Sequence, residues 1–213
     1  EFTGAENVTF KGGADDIVFD GNDSQLKFNA VDGKQLVVNI TNAALNTGAN
    51  GRGIITLHAD GDDAALAPVD SSMKITGSAL GGASTLKEVA ITGDKIVKVQ
   101  NAGINTALLS IAAGSTLEYT PTANVSFNNV TFADAVSTLK LEANAAARTF
   151  TMNAHINPGG NGQGIVELAS NGNSATLDGN GGVKTLGTGG NNIAVLNVTG
   201  ANTGIITGNV DLT

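Results

Sequence analysis

The segment GGNGQGIVELASNG (Gly159–Gly172) closely matches GANGRGIITLHADG (Gly48–Gly61), which lies in the first half of the chain. Each begins with a turn rich in small residues, continues through alternating apolar residues and closes on Gly. Glycine suits tight turns, and alternation places apolar side chains on one face of a strand. The shared positions are Gly51 and Gly162, Gly53 and Gly164, Ile54 and Ile165, and Leu57 and Leu168. They predict a repeated turn that leads into a repeated core strand.

The residues that differ between the two segments carry the charge and the reactive groups. Gln163 stands where the first segment has Arg52, and Ala169 stands where it has His58. A repeated site would keep these side chains, whereas a repeated scaffold keeps the turn and the core. We therefore interpret the repeat as architecture and expect function on the surface, where the copies differ.

Apolar residues two positions apart recur along the whole chain, which is the period of a β-strand. They are Val8/Phe10, Ile17/Phe19, Leu26/Phe28, Leu36/Val38/Ile40, Ile55/Leu57, Met73/Ile75, Val89/Ile91, Leu109/Ile111, Leu117/Tyr119, Val125/Phe127, Leu139/Leu141, Phe150/Met152, Val166/Leu168 and Val210/Leu212. The segment Phe132–Phe150 comes nearest to a helical pattern, but Leu139 and Leu141 alternate within it. The sequence therefore predicts an all-β chain.

Three further pairs of segments recur in the same order along the chain. They are NVTF (Asn7–Phe10) with NVSF (Asn124–Phe127), SQLKFNA (Ser24–Ala30) with STLKLEA (Ser137–Ala143), and LKEVAITG (Leu86–Gly93) with IAVLNVTG (Ile193–Gly200). A fixed order is stronger evidence of a repeat than any single match. We predict one domain over residues 1–213 that contains an internal duplication of approximately residues 7–100 and 124–213.

Composition favours a solenoid over other all-β folds. Glycine is abundant, with 29 residues, aromatic residues make up only 4%, and tryptophan is absent. In a parallel β-helix successive rungs stack, so Asn, Thr, Val and Ile align in rows and Gly fits the corners. A rung of about 20 residues would give on the order of ten rungs. The alternative is a β-sandwich or barrel array.

Charge and motif content exclude several functional classes. A net charge of −8 with only 11 Lys and Arg argues against a nucleic-acid partner, which needs clustered cations. The spacings of calcium-binding loops, phosphate-binding loops and the GxSxG nucleophile turn are missing. With two Arg and two His in the chain, no acid–base set is evident. We expect no catalytic residues, no metal and no cofactor.

One region departs from the general pattern and is the candidate binding site. Residues 51–100 contain no Asn, and His58–Lys74 (HADGDDAALAPVDSSMK) is acidic and holds a Pro. We expect a longer loop that leaves the solenoid near residues 60–72, and such loops commonly carry binding functions. The candidate binding residues are Asp60, Asp62, Asp63 and Asp70.

Several segments resemble the passenger domains of rickettsial autotransporters, in the surface cell antigen group that includes outer membrane proteins A and B. They are GGNNIAVLNVTGANTGIITGNVDLT (Gly189–Thr213), NVTFKGGADDIVFDG (Asn7–Gly21) and GNGQGIVEL (Gly160–Leu168). The resemblance implies a right-handed parallel β-helix on the bacterial cell surface or outer membrane, displayed by a C-terminal β-barrel translocator that lies outside this chain. It also implies a non-catalytic adhesin or invasin whose partner is a host-cell surface protein or matrix component. The absence of cysteine suits export in the unfolded state.

Two other functions remain open from the residues alone. A structural spacer or surface-layer solenoid would have the same fold and no ligand, and a glycan-active β-helix enzyme would need acidic residues clustered on one face. We also expect weak self-association, because the two ends of a solenoid expose unpaired strand edges.

Overall fold

The computed structural model of the chain describes residues 2–4, 7–11, 17–30, 35–41, 45–47, 49–60, 73–82, 84–101, 103–182, 184–187 and 190–212. Within these ranges the chain forms 22 β-strands and no helix. The prediction of an all-β chain is confirmed, and the Ala-rich segment Phe132–Phe150 contains strands, as its alternating leucines indicate.

The strands are short and follow the alternating segments of the sequence. In chain order they are β1 (Phe2–Gly4), β2 (Asn7–Lys11), β3 (Ile17–Phe19), β4 (Gln25–Ala30), β5 (Leu36–Thr41), β6 (Leu45–Thr47), β7 (Arg52–Ala59), β8 (Met73–Gly77), β9 (Leu86–Thr92), β10 (Ile96–Asn101), β11 (Thr106–Ile111), β12 (Thr116–Tyr119), β13 (Val125–Phe127), β14 (Asn129–Phe132), β15 (Thr138–Glu142), β16 (Arg148–Met152), β17 (Gln163–Ala169), β18 (Ala175–Asp178), β19 (Thr185–Leu186), β20 (Ile193–Thr199), β21 (Gly204–Thr207) and β22 (Asn209–Val210).

Three parallel sheets contain most of these strands. The first sheet has six strands in the order β1-β4-β7-β9-β11-β14, the second has eight in the order β2-β5-β8-β10-β12-β15-β17-β20, and the third has four in the order β13-β16-β18-β21. Two smaller sheets pair β3 with β6 and β19 with β22. The pairing between the named strands is parallel in every sheet, unlike the antiparallel pairing of a β-sandwich.

The chain visits the sheets in rotation. Strands β11, β12, β13 and β14 lie in the first, second, third and again the first sheet, and each pairs with a strand of the preceding turn or the following one. Strands β3 and β6 occupy the place of the third sheet in this rotation, and bridges from Val130 to Ile156 and from Ile156 to Leu186 lead from β14 to β19. The described strands thus form an all-β, parallel arrangement that is compatible with a β-helix.

The length of chain between successive visits to one sheet varies. Ile91 of β9 pairs with Ile111 of β11, whereas Leu57 of β7 pairs with Ile91, so the turn that leaves β7 is much the longer of the two. Its extra length accommodates the connection from Ala59 to Met73. The length of a turn therefore varies along the chain, and the largest sheet of the described strands has eight strands. The expectation of about ten rungs stays a prediction.

Alternation builds the core, because inward-facing residues of successive turns stack on one another. Phe28, Leu57, Ile91, Ile111 and Phe132 are consecutive register partners in the first sheet, and all are buried. Burial of each such side chain contributes roughly 2 kcal/mol relative to leaving it exposed. The core is thus a continuous column of aliphatic and Phe side chains, which explains how a chain without Trp forms a stable interior.

The last described turn breaks this pattern. Val198 is exposed although its register partner Leu168 is fully buried, whereas Val195 and Ile205 are exposed at outward positions, in register with Ile165 and Thr176. Among the described residues, strand β20 pairs with β17 on one side, and its other edge has only a bridge between Ile193 and Leu212. An apolar surface beside an open parallel edge is a surface on which further strands can pair.

The repeated segments lie one sheet apart. Strand β7 belongs to the first sheet and its counterpart β17 to the second, and the same step separates β4 from β15 and β9 from β20. Strand β2 of the second sheet corresponds likewise to β13 of the third. The similar segments therefore occupy successive faces in the rotation, so the repeated unit does not span a whole number of turns.

Candidate functional site

The turn that precedes β7 and the turn that precedes β17 are built around one close contact each. Gly53 has a φ of +74°, and a Cβ atom there would lie 2.3 Å from Cγ of Phe19. Gly164 has a φ of +80°, and its Cβ would lie 2.3 Å from Cδ2 of Phe132. Both the backbone conformation and the ring beneath it require glycine. These glycines are conserved between the copies because they seat the strand on an aromatic ring of the preceding turn.

An equivalent backbone hydrogen bond is found near the start of both strands. Ile54 N donates to Ser24 O at 2.8 Å, and Ile165 N donates to Ser137 O at 2.8 Å. These are the four residues that the sequence comparison pairs, Ile54 with Ile165 and Ser24 with Ser137. The two turns therefore share their attachment to the preceding turn, and this explains why the segment is repeated.

The asparagines of the two turns also act alike. Asn50 Oδ1 accepts a hydrogen bond from Thr85 N at 2.9 Å, and Asn161 Oδ1 accepts one from Asn192 N at 3.1 Å. Thr85 and Asn192 each begin the approach to the strand of the following turn. The Asn of each NG turn thus links two turns of the chain and is a structural residue.

Arg52 and Gln163, which differ in charge, make the same contact. Arg52 Nη1 donates to Asp20 O at 2.9 Å, and Gln163 Nε2 donates to Ala133 O at 3.1 Å. Each side chain reaches a backbone carbonyl of the preceding turn. At this position the difference between the copies therefore preserves a structural role and does not mark a functional residue.

The acidic binding loop is represented in the described residues by Asp60 alone. His58 Nδ1 lies 2.9 Å from Thr92 Oγ1, and His58 Nε2 lies 3.6 Å from Asp60 Oδ2, whose side chain is 61% exposed. Asp62, Asp63 and Asp70 lie outside the described residues. Asp60 follows β7 directly, so the predicted loop begins at the corner between the first and second sheets.

Metal ligands do not gather elsewhere in the part of the chain that the structure describes. Within it, no group of three His, Asp, Glu or Cys side chains is placed to hold a metal ion. His155, the second histidine, contacts Thr185 instead, with Nδ1 at 2.9 Å from Oγ1. The two histidines thus each bind a threonine of the next turn.

A row of charged side chains on the second sheet was not predicted. Lys98, Glu118 and Lys140 are register neighbours, and the Glu118 carboxylate contacts the ammonium groups of both lysines. Burial alone would raise the pKa of Glu118, but the hydrogen bond from Lys98 and the charge of Lys140 lower it below the usual value. The row links three successive turns of the chain. Only knowledge of the register would have revealed it.

The described residues enclose a second feature that was not predicted, a cavity of about 510 Å³ where the second sheet ends. It is lined by Thr76, Gln100, Thr120, Pro121, Thr122, Asn144, Ala145 and Arg148. Arg148 donates from Nε to Pro121 O at 3.0 Å and from Nη2 to Thr122 O at 2.8 Å. The cavity therefore contains one guanidinium group among neutral hydroxyl and amide groups.

Comparison of the chain with protein-family models, with curated proteins and with solved structures gives no match in any of the three. Within the described ranges, no helix has the length and hydrophobicity that a membrane crossing requires. The chain is consequently not assigned to a family.

Proposed function

We propose that the chain is a right-handed parallel β-helix that forms part of the passenger domain of a bacterial surface adhesin. In this proposal it is non-catalytic, is displayed at the outer membrane by a C-terminal β-barrel translocator, and attaches the bacterium to a host-cell surface protein or matrix component. The observation that carries the proposal is the rotation of the strands through successive parallel sheets. A stacked, rod-like scaffold suits the presentation of a binding loop at a distance from the cell.

The corner between β7 and β8 supports this role. Leu57 of β7 pairs with Ile91 of β9, and these partners are farther apart in sequence than those of any other paired strands in the first sheet. Most of this separation comes from residues 60–72, the longest connection between consecutive described strands. Loops that leave a rigid scaffold commonly carry recognition residues. We assign Asp60, Asp62, Asp63 and Asp70 as the residues that contact the partner.

Binding of the purified chain to cultured host cells tests the proposal. We expect saturable binding that falls at least severalfold in the triple variant Asp62→Asn, Asp63→Asn, Asp70→Asn. The matched control is Asp20→Asn with Asp23→Asn, which removes charge from an exposed turn at another corner. Circular dichroism of each variant establishes that the fold is retained.

The spacer role is the alternative outcome of this experiment. If the folded chain shows no saturable binding, the solenoid acts as a spacer. If the chain binds but the triple variant binds like the original chain, the adhesive surface lies elsewhere and the assignment of these aspartates is wrong. Release of sugars from host glycans by the purified chain would instead contradict the non-catalytic proposal.

The open edge at β20 supports a second, weaker association. Val198 is exposed beside this edge although its register partner Leu168 is buried, and we propose that two copies associate there at high concentration. Sedimentation velocity of the chain and of a Val198→Lys variant tests this, because the charge should abolish the concentration dependence. Equal concentration dependence in both proteins would contradict it.

A further inference from the structure

The cavity at the end of the second sheet lies apart from the acidic loop and has a different chemistry. Thr76, Gln100 and Thr120 belong to consecutive turns at its wall, and Asn144 and Arg148 close it from the next turn. No acidic residue lines it. The carboxylate of Glu142, which precedes this corner, accepts a hydrogen bond from Asn171 Nδ2 at 2.9 Å. A positive group thus occupies a cavity with otherwise neutral walls, in a chain whose net charge is −8.

The Arg148 guanidinium is positioned by backbone carbonyls and retains free donors. Nε donates to Pro121 O, Nη2 to Thr122 O and Nη1 to Ala147 O, at 3.0, 2.8 and 3.1 Å. A guanidinium has five N–H groups, so one N–H on each Nη atom remains. Among the described residues no carboxylate forms an ion pair with Arg148. The charge is therefore held in place without being neutralised.

Thr120 provides a second, independent sign of a ligand. Its side chain lines the cavity and is only 8% exposed, yet its Oγ1 has no hydrogen-bond partner among the described residues. A buried hydroxyl without a partner is unfavourable, and such a group is usually explained by a ligand or water. Thr76, two strands away in the same row, differs in this respect because its Oγ1 donates to Asn39 Oδ1 at 3.3 Å.

We propose that this cavity binds a carboxylated sugar such as a hexuronate. The carboxylate accepts hydrogen bonds from the free N–H groups of Arg148 and from the Thr120 hydroxyl, since an arginine fork matches a carboxylate geometrically. The sugar hydroxyls face the amide groups of Gln100 and Asn144, and the ring rests against Pro121. A volume of about 510 Å³ is in the range of small-ligand cavities.

The walls favour a sugar over an acidic side chain of a partner protein. An aspartate or glutamate would need only the guanidinium and one hydroxyl, and would leave the surrounding amide and hydroxyl groups of Gln100, Thr122 and Asn144 without a role. A hexuronate carries several hydroxyl groups that can use them. The inference goes beyond the proposed adhesin function and does not depend on it, because the cavity is separate from the acidic loop and binding of a free sugar needs no host cell.

Titration of the full chain with glucuronate, followed by NMR shifts of the backbone amides, tests the inference. We expect saturable shifts at Thr120, Thr122 and Arg148 with millimolar affinity. Glucose, which differs from glucuronate in lacking the carboxylate, should bind at least tenfold more weakly. Thr120→Val removes the hydroxyl at nearly constant volume and should weaken glucuronate binding about tenfold.

Variants of both arginines provide the matched comparison. Arg148→Gln should abolish the binding, and Arg52→Gln should leave it unchanged, because Arg52 supports a different corner. If Arg148→Gln does not fold, Thr120→Val alone decides. Equal affinity for glucuronate and glucose, or unchanged binding in Thr120→Val, would overturn the inference.

A separate arm distinguishes the ligand classes. If N-acetylaspartate amide binds as tightly as glucuronate and is equally sensitive to Thr120→Val, the cavity recognises a protein carboxylate and the sugar assignment is wrong. A chain that adheres to host cells but does not bind glucuronate would sink this inference and leave the proposed function standing. A chain that binds glucuronate but does not adhere to host cells would support this inference and contradict the proposed function.

Discussion

The turn before β7 and the turn before β17 have the same backbone contacts on different faces of the molecule. In both, a glycine with positive φ lies against a Phe ring, and an Ile amide donates to a Ser carbonyl of the preceding turn. Strand β7 nevertheless belongs to the first sheet and β17 to the second. The same turn and strand can therefore occupy either the first or the second sheet.

The outer side chains of the two strands diverge beyond the shared contacts. His58 in β7 contacts the Thr92 hydroxyl of the following turn, whereas in β17 it is Glu167 that accepts a hydrogen bond from Thr199, at 2.9 Å. In both cases the side chain contacts the last threonine of the strand that pairs in the following turn, Thr92 of β9 or Thr199 of β20. Different side chains thus link the same two levels of the stack, and divergence in residue type does not by itself indicate a functional site.

The largest effect is expected from adding a methyl group at either conserved glycine. Gly53→Ala and Gly164→Ala would each place Cβ inside an aromatic ring at a positive φ, so we expect each to lower the free energy of unfolding by more than about 3 kcal/mol. Urea denaturation of the two variants measures this. Similar losses at both sites would show that the two turns are energetically equivalent.

Gly51→Ala is the control for backbone strain without steric overlap. Gly51 has a φ of +76°, but no atom lies within 4 Å of the place that a Cβ would take. We expect a loss of about 1 kcal/mol from the positive φ alone. A loss at Gly51 as large as that at Gly53 would mean that the Phe19 ring is not the constraint.

The two serines that accept the Ile amides should differ in their contribution. Ser137 is fully buried, and its hydroxyl donates to Asp134 Oδ1 at 2.6 Å and lies 2.9 Å from Ala112 O. Ser24 Oγ is half-buried and accepts from Gly21 N at 3.2 Å. We expect Ser137→Ala to cost about 2 kcal/mol and Ser24→Ala about 1 kcal/mol in denaturation experiments. Equal costs would argue that the additional contacts of Ser137 contribute nothing.

We expect a smaller, pH-dependent difference in stability between the two turns, which arises from Asp134. The hydrogen bond from the Ser137 hydroxyl and those from nearby backbone amides lower the pKa of Asp134, whose place in the first copy is taken by Gly21. The lowered pKa means that this stabilisation is present above the ordinary carboxyl pKa and is lost as the pH falls through the lower, folded-state value. Asp134 is half-buried at the surface and screened by solvent, so its contribution should stay below about 1 kcal/mol.

Comparison of the original chain with Asp134→Asn at two pH values measures this contribution. The variant should be less stable near pH 7, and the gap should narrow towards pH 3. A gap that is independent of pH would show that the carboxylate charge is unimportant at this turn.

The smallest effect is expected from exchanging the two side chains that differ in charge. Because Arg52 and Gln163 each donate to a backbone carbonyl of the preceding turn, Arg52→Gln should change the free energy of unfolding by less than about 0.5 kcal/mol. Thermal denaturation followed by circular dichroism is sufficient. A loss above about 1 kcal/mol would show that the charge of Arg52 contributes beyond this hydrogen bond.

The strands and the core were predictable from sequence because alternation is a local property. Leu139 with Leu141 and Phe150 with Met152 identify buried strands without knowledge of their neighbours. The step of one sheet between copies was not predictable, since it depends on how many residues each corner holds. The Arg148 cavity was missed for the same reason: Thr76, Gln100 and Thr120 become neighbours only through a register across turns.

Disulfide formation between engineered cysteines tests most directly whether the two copies share one pattern of strand pairing. The chain has no cysteine, Thr56 is in register with Ala90 in the first copy, and Glu167 is in register with Asn197 in the second. Paired Cα atoms about 4.8 Å apart lie within disulfide range, whereas Thr56 with Thr92, two residues out of register, are about 8 Å apart. We predict that cysteines at Thr56/Ala90 and at Glu167/Asn197 oxidise nearly completely in the folded chain and that Thr56/Thr92 does not. Oxidation of the out-of-register pair, or failure of either in-register pair, would contradict the account.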